Sequence, residues 1–124
     1  MPITDFDVER AYDDDQFAAH KVFETDDLQV VCGYFEPGQF IPVHAPDSAL
    51  VAAVQSGAGV VREGETDHCV EAGDVVSVSA GTDRGIKADD DSRLEALLVT
   101  APPPTDAEHE LVRKGLRRGE FDPD

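Results

Sequence analysis

The chain has 124 residues, enough for one hydrophobic core and too few for two. It carries 27 Asp and Glu against 10 Lys and Arg, a formal net charge of -17. That balance excludes non-specific nucleic-acid binding, which depends on neutralising phosphates with basic groups, and it disfavours an anionic membrane surface as partner.

Residues 1–16 are polar, acidic and without periodicity, and they read as a loose arm. Met1 is followed by Pro2, Thr4, Asp5 and Asp7, without the basic stretch and apolar run of a secretory signal. No segment approaches the ~20 apolar residues that span a membrane. A cytoplasmic location is therefore expected. Cys32 and Cys69 lie in apolar stretches with no C-x-x-C spacing, the pattern of small core residues in a reducing compartment.

From residue 17 to residue 101, short apolar segments alternate with turn residues. Lys21–Glu24 and Leu28–Glu36 read as strands. The second has apolar residues in both alternating sets, so both of its faces should be covered. Pro37-Gly38 is a turn and Phe40–His44 a short strand. A loop at Pro46-Asp47-Ser48 leads to the apolar strand Leu50–Gln55, which Ser56-Gly57 should break. Gly59–Arg62 and Asp67–Val70 flank Glu63-Gly64-Glu65 as a hairpin. Val75–Val78, Gly85–Ala88 and Arg93–Thr100 follow. Eight or nine short strands with no helical period between them predict an all-β sandwich or barrel, not a βαβ sheet.

Residues 102–124 differ in kind. Pro102-Pro103-Pro104 is a stiff connector. Thr105, with Glu108 three residues on, forms a capping box, so a short C-terminal helix begins there. Lys114 followed by Gly115 reads as its end. Ala107, Leu111 and Leu116 form the stripe expected to face the barrel. The tail from Arg117 to Asp124 should fray.

Two glycine-framed spacings carry a family resemblance. Gly38 is followed after five residues by His44, then Pro46, Leu50 and Gly57 at the intervals of the first cupin motif. Gly73 is followed after five residues by Ser79, then Gly81 and Arg84 at the intervals of the second. Over residues 21–100 the chain resembles a single-domain cupin of the cupin-2 type. The resemblance implies a double-stranded β-helix, the jelly-roll barrel, closed by Leu94–Thr100. It also implies homodimers, which cupins often form.

Metal-binding cupins use two His and a Glu from the first motif and a His from the second. Here those positions hold His44, Pro46, Leu50 and Arg84. Proline and leucine cannot ligate, and arginine is a permanent cation. His44 is the only retained ligand position. No metal and no other cofactor is expected, with a divalent transition metal as the alternative. His20, His68 and His109 read as exposed or locally bonded, and Asp47 and Asp83 flank the motif positions without completing a set.

If the strand geometry is kept, His44 and Arg84 point into the barrel mouth. A guanidinium in a partly dry pocket clamps a carboxylate or phosphate. Leu50, Ala52 and Val54 give an apolar wall, and Tyr34 and Gln55 are further candidate lining residues. The expected function is binding of a small polar or anionic molecule. One alternative is a cupin-type enzyme, an isomerase, epimerase or dioxygenase-like catalyst, using His44 as base. Another is a structural homodimer scaffold. Gly57-Ala58-Gly59 joins two strands with no helix after it, so it is no nucleotide loop.

The acids gather in runs, Asp13-Asp14-Asp15, Asp26-Asp27 and Asp89-Asp90-Asp91, while Lys21, Lys87 and Lys114 are the only lysines. This composition resembles that of proteins from extreme halophiles. At molar salt the Debye length shrinks to about 3 Å and screens such self-repulsion.

Overall fold

A computed structural model describes residues 3–122. Eight strands are flanked by two helices: α1 (Phe6–Glu9), β1 (Ala18–Glu24), β2 (Gln29–Phe35), β3 (Phe40–His44), β4 (Ala49–Glu63), β5 (Thr66–Glu71), β6 (Val75–Val78), β7 (Arg84–Ala88), β8 (Leu94–Ala101) and α2 (Asp106–Arg118). Neighbouring strands run β1-β2-β8-β4-β7-β3, with β5 and β6 also paired to β4, and every pairing is antiparallel. The expected all-β barrel with a C-terminal helix is what the chain forms.

β4 is where the structure departs most from the sequence reading. The two strands expected on either side of Ser56-Gly57 are one strand of 15 residues. Its first half pairs with β8 and β6, its second half with β5 and β7. The register shifts between Val54 and Ser56, and Gly57 follows at φ +81°. A Cβ at Gly57 would lie 1.7 Å from the Arg93 carbonyl oxygen. The glycine therefore bends the strand from one sheet into the other instead of ending it.

The core lies between these layers. Phe35, Leu50, Ala52, Val54, Val61 and Ile86 meet Leu94, Ala96 and Leu98 there. Their spacing of two along each strand is the strand period, with polar neighbours turned outward. Cys32 is buried as expected, but Cys69 is exposed on the outer face of β5. Its neighbour Val70 takes the inward position, and alternation sends Cys69 out. The acidic runs at Asp13-Asp14-Asp15 and Asp26-Asp27 are exposed.

The arm is not loose over its described length. Asp5 caps α1, and Tyr34 donates its hydroxyl hydrogen to the Phe6 carbonyl at 2.9 Å. Arg10 donates to both oxygens of Glu95, at 2.6 and 2.9 Å, and the Tyr12 hydroxyl donates to the same carboxylate at 2.5 Å. Glu95 is only 3% exposed. The arm thus covers the outer face of β2 and β8.

α2 starts as the sequence predicts. Glu108 N–H donates to Thr105 Oγ1 and Thr105 N–H donates to Glu108 Oε1. It ends later than expected, at Arg118, with Gly119 as the left-handed cap. Gly115 is buried inside the helix, where a Cβ would stand 2.5 Å from Pro42 Cβ. Glycine is there for close approach to β3, not to stop the helix. The expected stripe is also rotated. Ala107 and Leu111 are exposed, and Glu108, Val112 and Leu116 face the barrel. The tail up to Asp122 is anchored: the Phe121 carbonyl accepts from Val43 N–H at 2.7 Å, and its ring meets Phe40. Residues 123–124 of the expected fraying tail lie outside the described residues.

Candidate functional site

A cavity of about 330 Å³ opens where α2 crosses the mouth of the barrel. Its wall is mostly apolar, with Val31, Ile41, Leu50, Ile86 and Leu98 from the strands and Val112 and Leu116 from the helix. Arg84, His44, Gln29, Thr100, Glu108 and Arg113 are among the polar groups on it.

Strand parity and one irregularity bring His44 to Arg84. Ile41 faces Ile86 across the β3–β7 ladder, and His44 faces Arg84. Three steps on β3 thus match two on β7. The extra residue is a bulge at Pro42-Val43, which lets Ile41 and His44 share the inner face. Pro42 and Val43 instead meet α2 and the tail, through Gly115 and Phe121.

Arg84 is 5% exposed. Its Nη1 donates to the Ser48 carbonyl at 2.6 Å and its Nη2 to the Ser48 hydroxyl at 2.7 Å. Among the described residues no carboxylate lies within ion-pair distance of it. Burial pushes its pKa below the ordinary arginine value, and the charge of Glu108 acts the other way. A guanidinium remains charged in such a wall, so a cation stands there with neutral partners only.

His44 is half-buried, and its Nδ1 lies 2.9 Å from the Pro42 carbonyl. A carbonyl only accepts, so Nδ1 carries the hydrogen and Nε2 keeps its lone pair. Burial lowers the His44 pKa. The bond to Pro42 opposes this, and the Arg84 charge adds to it. The neutral imidazole is the favoured form.

Glu108 closes the site from the helix. Its Oε1 accepts from Thr105 N–H and its Oε2 from Asp47 N–H at 3.0 Å. Burial alone would raise its pKa, but these bonds and the Arg84 charge hold it below the usual carboxylate value. The capping residue thus also ties α2 to the loop before β4, beside Ser48.

Other sequence candidates lie elsewhere. Tyr34 is on the opposite face of β2, its ring against Phe6, Tyr12 and His20 under the arm. Gln55 is exposed, because Leu50, Ala52 and Val54 fill the inner parity of β4. Of those three only Leu50 reaches the cavity; Ala52 and Val54 belong to the core. His68 sits beside Glu63 at 3.0 Å in the β4–β5 hairpin. His109, expected to be exposed or locally bonded, is exposed and also borders the cavity. Sequence reasoning missed Gln29, which is 8% exposed on the cavity wall. The signal was a polar residue at the head of an apolar strand, between Leu28 and Val30.

A cupin metal does not fit these residues. His44 is one imidazole, Pro46 and Leu50 offer no donor, and the fourth position is a buried cation. Among the described residues no three His, Cys, Asp or Glu are grouped to hold a metal ion. A divalent ion at His44 would meet the Arg84 charge across one ladder step. Among the described residues, no helix is long and apolar enough to cross a membrane.

No family model matches the chain, and no curated protein matches it at a significant level. Solved structures do. The protein TT1209 from Thermus thermophilus is 30% identical, covering 84% of this chain and 100% of its own, with a TM-score of 0.80. A conserved protein with a double-stranded β-helix domain from Klebsiella pneumoniae is 25% identical, covering 82% of this chain and 90% of its own, with a TM-score of 0.75. An RmlC-like cupin from Desulfovibrio desulfuricans is 26% identical, covering 83% of this chain and 98% of its own, with a TM-score of 0.72. With the glycine-framed motifs, the two-layered barrel and these relatives together, the chain belongs to the cupin superfamily.

Proposed function

We propose that this cupin binds a small organic anion, a carboxylate on an apolar body, in the cavity beneath α2. The observation that carries the reading is Arg84: a buried guanidinium on the cavity wall that, among the described residues, is hydrogen-bonded only to neutral Ser48. A buried cation with no carboxylate in direct contact, Glu108 acting on it only through space, is costly, and a ligand carboxylate relieves that cost while its chain fills the apolar wall. His44 Nε2 is a second polar contact for a ligand bearing a hydroxyl or amide hydrogen.

The test is calorimetry with straight-chain monocarboxylates from butanoate to octanoate, beside the matching primary alcohols. The acids should bind and the alcohols should bind at least about tenfold more weakly, the worth of one charge-assisted hydrogen bond or more. Arg84→Gln should erase the preference. Equal binding of acids and alcohols, or a preference that survives Arg84→Gln, refutes the reading.

A second reading, proton transfer by His44 on such a ligand, is favoured by one observation. The Pro42 carbonyl orients the ring and leaves Nε2 as the base. Exchange of deuterium into a bound 2-oxo acid, lost in His44→Gln, is the corresponding test.

A further inference from the structure

Among the described residues Gln29 is a polar side chain whose amide has no hydrogen-bond partner. It is 8% exposed. Such a group is left to pair with water or with a ligand. Its direction follows from parity: Gln29 and Val31 border the cavity and Val30 does not. Among the described residues no sealed side-chain nitrogen or oxygen lacks a partner, so the Gln29 amide keeps some access to solvent, and Gln29 borders the cavity. Thr100 faces Gln29 across the β2–β8 ladder and borders the same space. Leu50 faces Thr100 in turn, on the far side of β8. Gln29 is thus two strand spacings, about 10 Å, from β4, whose preceding loop carries Ser48 and its bond to Arg84. Gln29 and Thr100, on β2 and β8, border the cavity from different strands than Arg84 on β7.

We infer that the ligand is bifunctional: a carboxylate at Arg84 and a neutral hydroxyl, oxo or amide group at Gln29 and Thr100, joined by a short apolar chain. This rests on the Arg84 reading and narrows it from monocarboxylates to hydroxy, oxo or amido acids. A glutamine amide both donates and accepts, so it takes any of the three neutral groups. It does not itself balance a second full charge.

The test compares three probe series by calorimetry, spanning the same chain lengths: the parent acids butanoate to octanoate, their ω-hydroxy derivatives, and the α,ω-diols. At the best chain length the hydroxy acid should bind about tenfold tighter than its parent acid, the gain of one buried hydrogen bond. Gln29→Leu should remove that gain, so that the hydroxy acid and its parent acid bind the variant equally. Gln29→Met, closer in shape to glutamine, repeats the measurement should the leucine variant fail to fold. Parent and hydroxy acids binding equally to the unaltered protein overturn the Gln29 inference and leave the Arg84 reading standing. Diols binding as well as hydroxy acids overturn the Arg84 reading. A gain that persists in both Gln29 variants also overturns the inference. Binding of none of the three series overturns both.

Discussion

His44 and Arg84 face each other across one step of the β3–β7 ladder, a neutral ring beside a permanent cation. Burial, opposed by the Pro42 bond and reinforced by Arg84, holds the His44 pKa below its ordinary value. The folded state therefore takes up the proton less readily than the unfolded chain. Stability tied to neutral His44 is fully present above the unfolded value of about 6.5. It declines as pH falls below that value and levels off beneath the folded one. Urea midpoints should fall between roughly pH 7 and pH 5 in the unaltered protein and fall less steeply in His44→Gln. Equal slopes would show that His44 does not carry the effect.

The arm predicts behaviour at the alkaline end. The chain has two tyrosines. Burial, with help from the Glu95 bond and charge, pushes Tyr12 up to about 12. Burial raises Tyr34 as well, with the Cys32 and Glu95 charges adding to it. In the folded protein the phenolate absorbance band should therefore be absent at about pH 10, where an unfolded chain is half ionised. Because the unfolded chain loses these protons first, stability falls as pH rises beyond about 10. The band should appear together with loss of the circular-dichroism signal. Phenolate forming near pH 10 in a folded sample would mean that the arm does not cover Tyr12 and Tyr34.

The acid end of the same cluster has the opposite sign. The Arg10 bonds, working against burial, hold Glu95 below its ordinary value. That stability is present above the unfolded value of about 4.3 and is lost as pH falls through the folded one. Glu95→Gln should lower stability at neutral pH and flatten the acid slope. It should also make residues 3–16 more sensitive to limited proteolysis. A variant as protease-resistant as the parent would separate the arm from Glu95.

These particulars show what the sequence could and could not convey. The glycine frame was legible because each turn is a local matter of backbone angles. The metal-ligand positions were legible because they are fixed by spacing within one strand or turn. Tyr34 and Gln55 were misplaced because parity must be counted from a residue known to face inward. Phe35 and Val54 provide that anchor only once the sheets are seen to close. Gly115 reads as a helix stop because lysine and glycine give the same local signal whether the chain ends there or meets another backbone. Gln29 escapes notice because an unpaired amide is defined by what surrounds it, and no sequence pattern states its surroundings.

Gly115 separates local propensity from packing. Replacing glycine by alanine inside an exposed helix stabilises it by about 1 kcal/mol. Here the new methyl would meet Pro42 at 2.5 Å, and Pro42 is fully buried in the bulge that aims His44. Gly115→Ala should therefore destabilise the protein by about 1–3 kcal/mol in spite of the gain in helix propensity. Because α2 roofs the cavity, the variant should also bind carboxylates more weakly. A rise in thermal midpoint would show that α2 shifts off β3 without cost, and the roof would then be loosely held.

The charge of -17 yields the last prediction, since it sits mainly on turns, the arm and the helix surface. Asp26, Asp27, Asp90 and Asp91 are exposed, and none of their carboxylates makes an ion pair or hydrogen bond within the described residues. Their mutual repulsion acts over about 10 Å at 0.1 M salt and about 3 Å at 1 M. We expect the thermal midpoint to rise by roughly 5 °C or more between those salt concentrations. Salt can also act through the apolar core, which would raise the midpoint without involving charge. Replacing the four aspartates by asparagine distinguishes the two causes. If repulsion dominates, the variant is the more stable protein at low salt and gains less from added salt. If the core term dominates, both proteins gain equally, and the acidic skin contributes nothing to salt dependence.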